Sequence, residues 1–134
     1  IIYCTNLIKI LTAENENNIE IYNLLEKLFK IIELDNWLVE FLYLELNILK
    51  SIGYDINFKD YVVDKSINGQ TKYIVDSSQK IIPNFLIDKN ISPENLKDIY
   101  SGFSIVGDFL DKTIIKPNNK NYPSSRNDFI NLLK

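Results

Sequence analysis

The chain has 134 residues, of which 46% are apolar and 25% charged, with a formal net charge of −3. This composition is typical of a globular domain with a modest core. Without a dense basic run, the chain does not resemble a free-standing nucleic-acid-binding domain. It contains one cysteine and no histidine, which excludes an internal disulfide, a structural zinc site and serine–histidine catalysis. We therefore expect a non-catalytic protein without metal or cofactor.

Three further features concern the completeness and the cellular context of the chain. The chain begins at Ile1 and contains no methionine, so we interpret it as a fragment. No apolar run reaches the roughly 18 residues that a membrane-spanning helix needs. A single cysteine agrees with a reducing compartment. We expect no membrane contact and a cytoplasmic location.

Helical periodicity dominates the first part of the chain. Residues 1–11 are predicted to be the end of a helix. Residues 19–33 predict an amphipathic helix, whose apolar stripe is formed by Ile21, Leu24, Leu25, Leu28 and Ile32. Residues 37–52 are apolar on nearly every side, and Gly53 suits the left-handed position that ends many helices. Such a helix is expected at the centre of a bundle.

The composition changes to β type between residues 58 and 82. Short runs rich in valine, isoleucine and tyrosine flank Asn68-Gly69, which is a favoured dipeptide in two-residue hairpin turns. We predict a small β-hairpin there. A helix is then predicted to begin at Ser92-Pro93-Glu94, and a last short one at Ser125, with Asp128 three residues later. The predicted fold is mainly α, a helical bundle with a β-hairpin insertion, in one domain over residues 1–134.

Two charged residues are unusual in their context. Glu45 is surrounded at helical spacing by Phe41, Ile48 and Leu49, and a buried charge must be paired and hydrogen-bonded. It either makes an internal contact with a backbone amide, a tyrosine or Arg126, or lies at the rim of a binding groove. Arg126 is the only arginine beside fourteen lysines, and its planar fork offers bidentate bonds that lysine cannot make.

Four segments carry a family resemblance in their order and spacing. They are residues 20–25, the Leu44-Glu45-Leu46 to Gly53-Tyr54 helix end, residues 58–78, and the ending Pro123-Ser124-Ser125-Arg126. Together they resemble the C-terminal helical domain of RecO, a family of bacterial recombination mediators, and the ending resembles its proteobacterial members. The resemblance implies DNA repair and recombination, in which RecO works with RecR and single-stranded DNA-binding protein (SSB) to load RecA and anneal strands. It also implies that DNA is bound mainly by an N-terminal OB-fold, which this chain lacks.

The resemblance implies a site for the acidic, phenylalanine-ended tail of SSB. An apolar floor would be supplied by Phe41, Ile48 and Leu49, and a basic rim by Lys27 and Lys30. Glu45 and Arg126 are expected to be structural polar residues. Some members hold zinc with four cysteines in the hairpin region, where this chain has Tyr61 and no cysteine, so zinc is not expected. The alternative is a structural helical interaction module of an unrelated bacterial or phage protein.

Overall fold

The computed structural model describes residues 18–51, 53–54, 56–75 and 80–133. Its helices are α1 (Asn18–Ile32), α2 (Trp37–Ser51), α3 (Asn84–Ile87), α4 (Leu96–Leu110) and α5 (Ser124–Asn131). A 3-10 turn covers Phe58–Tyr61, and α4 continues into one π-helical segment, Asp111–Ile115. The prediction of a mainly α fold is confirmed. The helix predicted for residues 1–11 lies outside the described residues.

The β-type interval forms a small antiparallel sheet. Strand β1 (Val62–Ile67) pairs with β2 (Gln70–Val75), and β2 pairs with the two-residue β3 (Ile81–Ile82). Asn68 and Gly69 have φ of 52° and 79°, the left-handed conformation that a tight hairpin turn of this kind requires. The predicted hairpin is confirmed, but β3 makes the sheet larger than a hairpin.

The start of α4 differs from the prediction. Asn95, not Ser92, caps this helix, because its side-chain oxygen accepts the Asp98 N–H at 3.1 Å. The Asp98 carboxylate in turn accepts the Glu94 N–H at 2.9 Å, so hydrogen bonds join the first turn of the helix to both residues that precede it. This arrangement outweighs the Ser-Pro-Glu signal three residues earlier. Ser125 likewise lies within α5 and does not cap it.

Helix α2 lies at the centre of the core, as its sequence predicts. It packs against α1 and α4, while α5 and β3 pack against α4. Aliphatic and aromatic side chains from all these elements form one buried cluster; its least exposed members are Leu28, Leu42, Ile48, Leu49, Ile82, Phe85, Phe103, Val106, Leu110 and Ile115. Polar side chains brought into this cluster must therefore find their partners inside the protein.

Candidate functional site

A buried ion pair joins the centre of the core to the last helix. Arg126 of α5 donates from Nε to Oε1 of Glu45 at 3.0 Å, and its Nη2 lies 2.9 Å from the same oxygen. Both side chains are about 1% exposed or less. This is one of the three internal contacts that the sequence leaves open for Glu45. The two charges neutralise each other where water cannot solvate either of them.

Arg126 has further partners on α4 and on the loop before α5. Its Nη2 donates to the carbonyl oxygen of Phe103 at 2.7 Å, and its Nη1 donates to the Tyr122 hydroxyl at 2.9 Å. The guanidinium carbon also lies 5.9 Å from the centre of the Phe103 ring. Burial raises the pKa of Tyr122 above its ordinary value, and the Arg126 charge opposes that rise. The hydrogen bonds of this network fix the position of the guanidinium.

A glycine on α4 makes room for this network. A Cβ added at Gly107 would overlap Nη1 of Arg126 and would come within 2.9 Å of the Tyr122 hydroxyl. Any larger residue at this position would push the guanidinium away from Glu45. Gly107 and Tyr122 are therefore part of the site, although the sequence analysis did not select them. The spacing of Tyr122 and Arg126, four residues apart, is the signal that could have identified Tyr122.

An open pocket of about 590 Å³ adjoins the network between α4 and α5. Tyr122 and Arg126 lie in its wall, and Asp108 and Asp111 also line it. Both aspartates already contact lysines, Asp108 with Lys80 at 3.4 Å and Asp111 with Lys116 at 3.2 Å. The arrangement stabilises α5 against the core.

The two lysines predicted for a binding rim are exposed on α1. Lys30 lines a shallow apolar depression of about 430 Å³ together with Tyr22, Leu25, Glu26 and Phe29, which we call the α1 patch. Phe29 is 55% exposed and Tyr22 62%, so this helix presents two aromatic rings to solvent. Lys27 lies outside that lining, one turn before Ile31 on the same helix.

The three residues predicted for an apolar floor lie in the core. Phe41 is 6% exposed, and Ile48 and Leu49 are each 1% exposed. The Phe41 ring packs on Phe103 and Phe129, with centroids 5.9 and 5.4 Å away. The structure therefore does not bring these three side chains together with Lys27 and Lys30 on one surface. They contribute to the packing around α2.

One family profile matches most of the chain. The family profile described as recombination protein O C terminal matches residues 1–100. The chain belongs to the RecO C-terminal family. It is therefore a domain of DNA recombination and repair, and the matched residues include Glu45, whereas Arg126 and Tyr122 lie beyond them. No curated protein and no solved structure matches the chain.

Two properties of the RecO domain concern membranes and metals. Within the part of the chain that the structure describes, no helix is long and apolar enough to cross a bilayer. Among the same residues, no three cysteine, aspartate or glutamate side chains are grouped so that they could hold a metal ion.

Proposed function

We propose that this domain is the non-catalytic helical part of a cytoplasmic recombination mediator. It would act with RecR and SSB to load RecA onto single-stranded DNA and to anneal complementary strands. The observation that carries the proposal is the family match over residues 1–100, which spans α1, α2 and the sheet. DNA would be bound mainly by an OB-fold outside this chain, because a net charge of −3 releases few counterions.

The contact with SSB is proposed to involve its acidic, phenylalanine-ended tail. A tail that reached Phe41, Ile48 or Leu49 would have to displace core packing, since all three are buried. Tyr22, Leu25 and Phe29 offer an apolar surface that is already open. We therefore place the tail ring on the α1 patch, with Lys30 at its edge and Lys27 nearby on the same helix. Glu26 lies within the patch and lowers the attraction for a tail carboxylate.

The test is a titration of the 134-residue chain with SSB and with SSB that lacks its tail. Binding to intact SSB but not to SSB without its tail supports the tail contact. The Lys27→Ala/Lys30→Ala variant should bind intact SSB about two- to tenfold more weakly, because two exposed ion pairs contribute little each and are screened by salt. Lys97→Ala, an exposed lysine on α4, is the matched control.

The location on α1 has its own test. Phe29→Ala removes an exposed ring and should weaken binding while the domain stays folded. Unchanged affinity for both the lysine and the Phe29 variants would remove the α1 patch from the proposal. If the parent chain binds neither SSB nor RecR, a purely structural helical module would be favoured instead.

A further inference from the structure

The sheet has an open edge along β1. The strand order is β1-β2-β3, and among the described strands β1 pairs with β2 alone. In an antiparallel pair, only alternate residues direct their backbone N–H and C=O groups at the neighbouring strand. The remaining residues of an edge strand leave theirs unpaired, so the edge is a template for one more strand.

The hairpin turn determines which backbone groups of β1 point outward. Ile67 and Gln70 close the two-residue turn and form a hydrogen-bonded pair, so alternate residues counted back from Ile67 bond to β2. The residues between them direct their N–H and C=O groups to the open side; they are Val62, Asp64 and Ser66.

A hydrogen bond on the far side of β2 confirms this alternation. The Val75 N–H donates to the Lys80 carbonyl oxygen at 2.9 Å, and Lys80 directly precedes β3. Val75 therefore directs its backbone at β3 and not at β1. Val62 is its partner in the register of β1 and β2, so the backbone groups of Val62 face the open edge.

Two exposed β-branched side chains lie beside this edge. Val63 and Ile67 are 40% and 39% exposed. In the register of the sheet, Val63 lies beside Ile74, and Ile74 lies beside Ile81, which is 52% exposed. These side chains share the face opposite to that of Ile82, which is buried in the core. A strand added at β1 would extend an apolar row that already crosses the sheet.

The charges of β1 disfavour a second copy of the chain as the added strand. The outward residues of the two copies must meet one another, and the two registers with the longest overlap centre on Asp64 or on Lys65. The first register places Asp64 opposite its own copy. The second pairs Lys65 with its own copy, next to the Lys72 of each chain. Like charges directly opposite one another are destabilising, and edge strands use them against self-association.

We propose that the edge of β1 binds an extended segment of a different protein as an additional antiparallel strand. The segment exchanges backbone hydrogen bonds with the outward residues of β1. Its side chains follow from the register: two apolar residues, four positions apart, lie opposite Val63 and Ile67, and a lysine or arginine lies opposite Asp64. The proposal goes beyond the proposed function, since it concerns a different surface from the α1 patch.

The test is an NMR titration of the isotope-labelled 134-residue chain with a capped synthetic peptide. The peptide contains valine, two threonines, lysine, valine and threonine in that order, so its valines lie opposite Ile67 and Val63 and its lysine opposite Asp64. We expect saturable shifts along β1 and slower amide exchange at Val62, Asp64 and Ser66, because these N–H groups become hydrogen-bonded. The alternate amides of β1 already bond to β2 and should change less.

A matched pair of peptides tests whether the backbone makes the contact. N-methylation of the peptide's lysine removes an N–H that faces β1 and should weaken binding about tenfold or more, since Asp64 loses a hydrogen-bond donor. N-methylation of the threonine before it removes an N–H that points away from β1 and should have a much smaller effect. Equal affinity of the two methylated peptides would overturn the proposal.

Variants of the chain test the same edge from the other side. Ser66→Pro removes an outward N–H but keeps the bonds to β2, and should weaken binding about tenfold or more. Asp64→Asn should weaken it by up to about fivefold. Asp60→Asn, in the 3-10 turn, and Phe29→Ala, on the α1 patch, are controls that should bind the peptide like the parent chain.

Further outcomes decide between the possible occupants of the edge. If thermal melts show that Ser66→Pro is unfolded, the methylated peptides decide the question, because they leave the chain unchanged. No binding by the parent chain overturns the proposal. Protection of the same amides that rises with chain concentration, without peptide, would assign the edge to a second copy and would overturn the proposal as well.

Discussion

Arg126 donates a hydrogen bond from Nε to Oε1 of Glu45, which precedes it by 81 residues, and its Nη2 lies 2.9 Å from the same oxygen. The pair joins the central helix to the last one inside an apolar core. A buried ion pair contributes less to stability than its short distances suggest, because both charges lose their hydration. Each charge is tolerated in the core only because the other one is present. Loss of either partner leaves an uncompensated charge in a site closed to water.

The ion pair predicts strong non-additivity. Arg126→Leu should lower the free energy of unfolding by about 3–5 kcal/mol, because Glu45 is then left buried without its counter-charge. Glu45→Leu should cost a similar amount through the stranded guanidinium. The double variant should lose clearly less than the sum of the two single losses. Urea denaturation of the four proteins measures this cycle, and additive losses would show that the residues act independently.

Gly107→Ala should change stability in the direction opposite to that of an ordinary Gly→Ala substitution in a helix. In an ordinary helix interior, Gly→Ala stabilises by about 0.5–1 kcal/mol. Here the new Cβ would overlap the Arg126 guanidinium, so Gly107→Ala should instead destabilise by about 1–3 kcal/mol. Ser104→Ala, one turn earlier on the exposed side of α4, is the control and should be neutral or stabilising. A stabilising Gly107→Ala would contradict the described position of Arg126.

Tyr122 predicts a loss of stability at alkaline pH. Burial raises its pKa above the ordinary value of 10.0, so the folded chain keeps a proton that the unfolded chain releases. The free energy of unfolding should therefore be unaffected by Tyr122 below about pH 10 and should fall as the pH rises through the higher folded pKa. Tyr122→Phe should flatten that fall. Urea denaturation between pH 8 and 11 measures the slope, and an unchanged slope would argue against the prediction.

Phe41 and Phe29 predict losses of stability of very different size for the same truncation. Phe41→Ala should cost about 3–5 kcal/mol of stability, because the ring is buried against Phe103 and Phe129. Phe29→Ala should change stability by only about 0.5 kcal/mol, because the ring is largely exposed. Thermal and urea denaturation compare the two variants. A large loss for Phe29→Ala would show that the α1 patch is covered in solution.

The acidic balance of the chain predicts weak DNA binding. With a net charge of −3, the 134-residue chain should show little affinity for single-stranded DNA at physiological salt. Gel-shift and anisotropy titrations over a range of salt concentrations test this expectation. Tight binding that persists at physiological salt would place a local DNA site on this domain and would revise the division of roles with the OB-fold.

The local sequence determined the helices α1 and α2 and the β-hairpin. The stripe at residues 19–33 and the apolar run at 37–52 predict α1 and α2 within a few residues of their ends. Asn68-Gly69 predicts the hairpin because few residue pairs accept two positive φ angles. These signals depend on neighbours in the chain, so no tertiary contact was needed to interpret them.

Other properties depend on contacts between distant segments, and only the tertiary structure decided them. Periodicity identified an apolar face around Glu45, but it could not show that Arg126 approaches from a helix 81 residues away or that Gly107 leaves space for it. For the same reason it could not distinguish Phe41, buried between two helices, from Phe29, exposed on the side of α1 that no described element covers. An apolar residue on a helix is buried only when another element packs over it. The neighbours of that residue in the sequence do not specify which element does so.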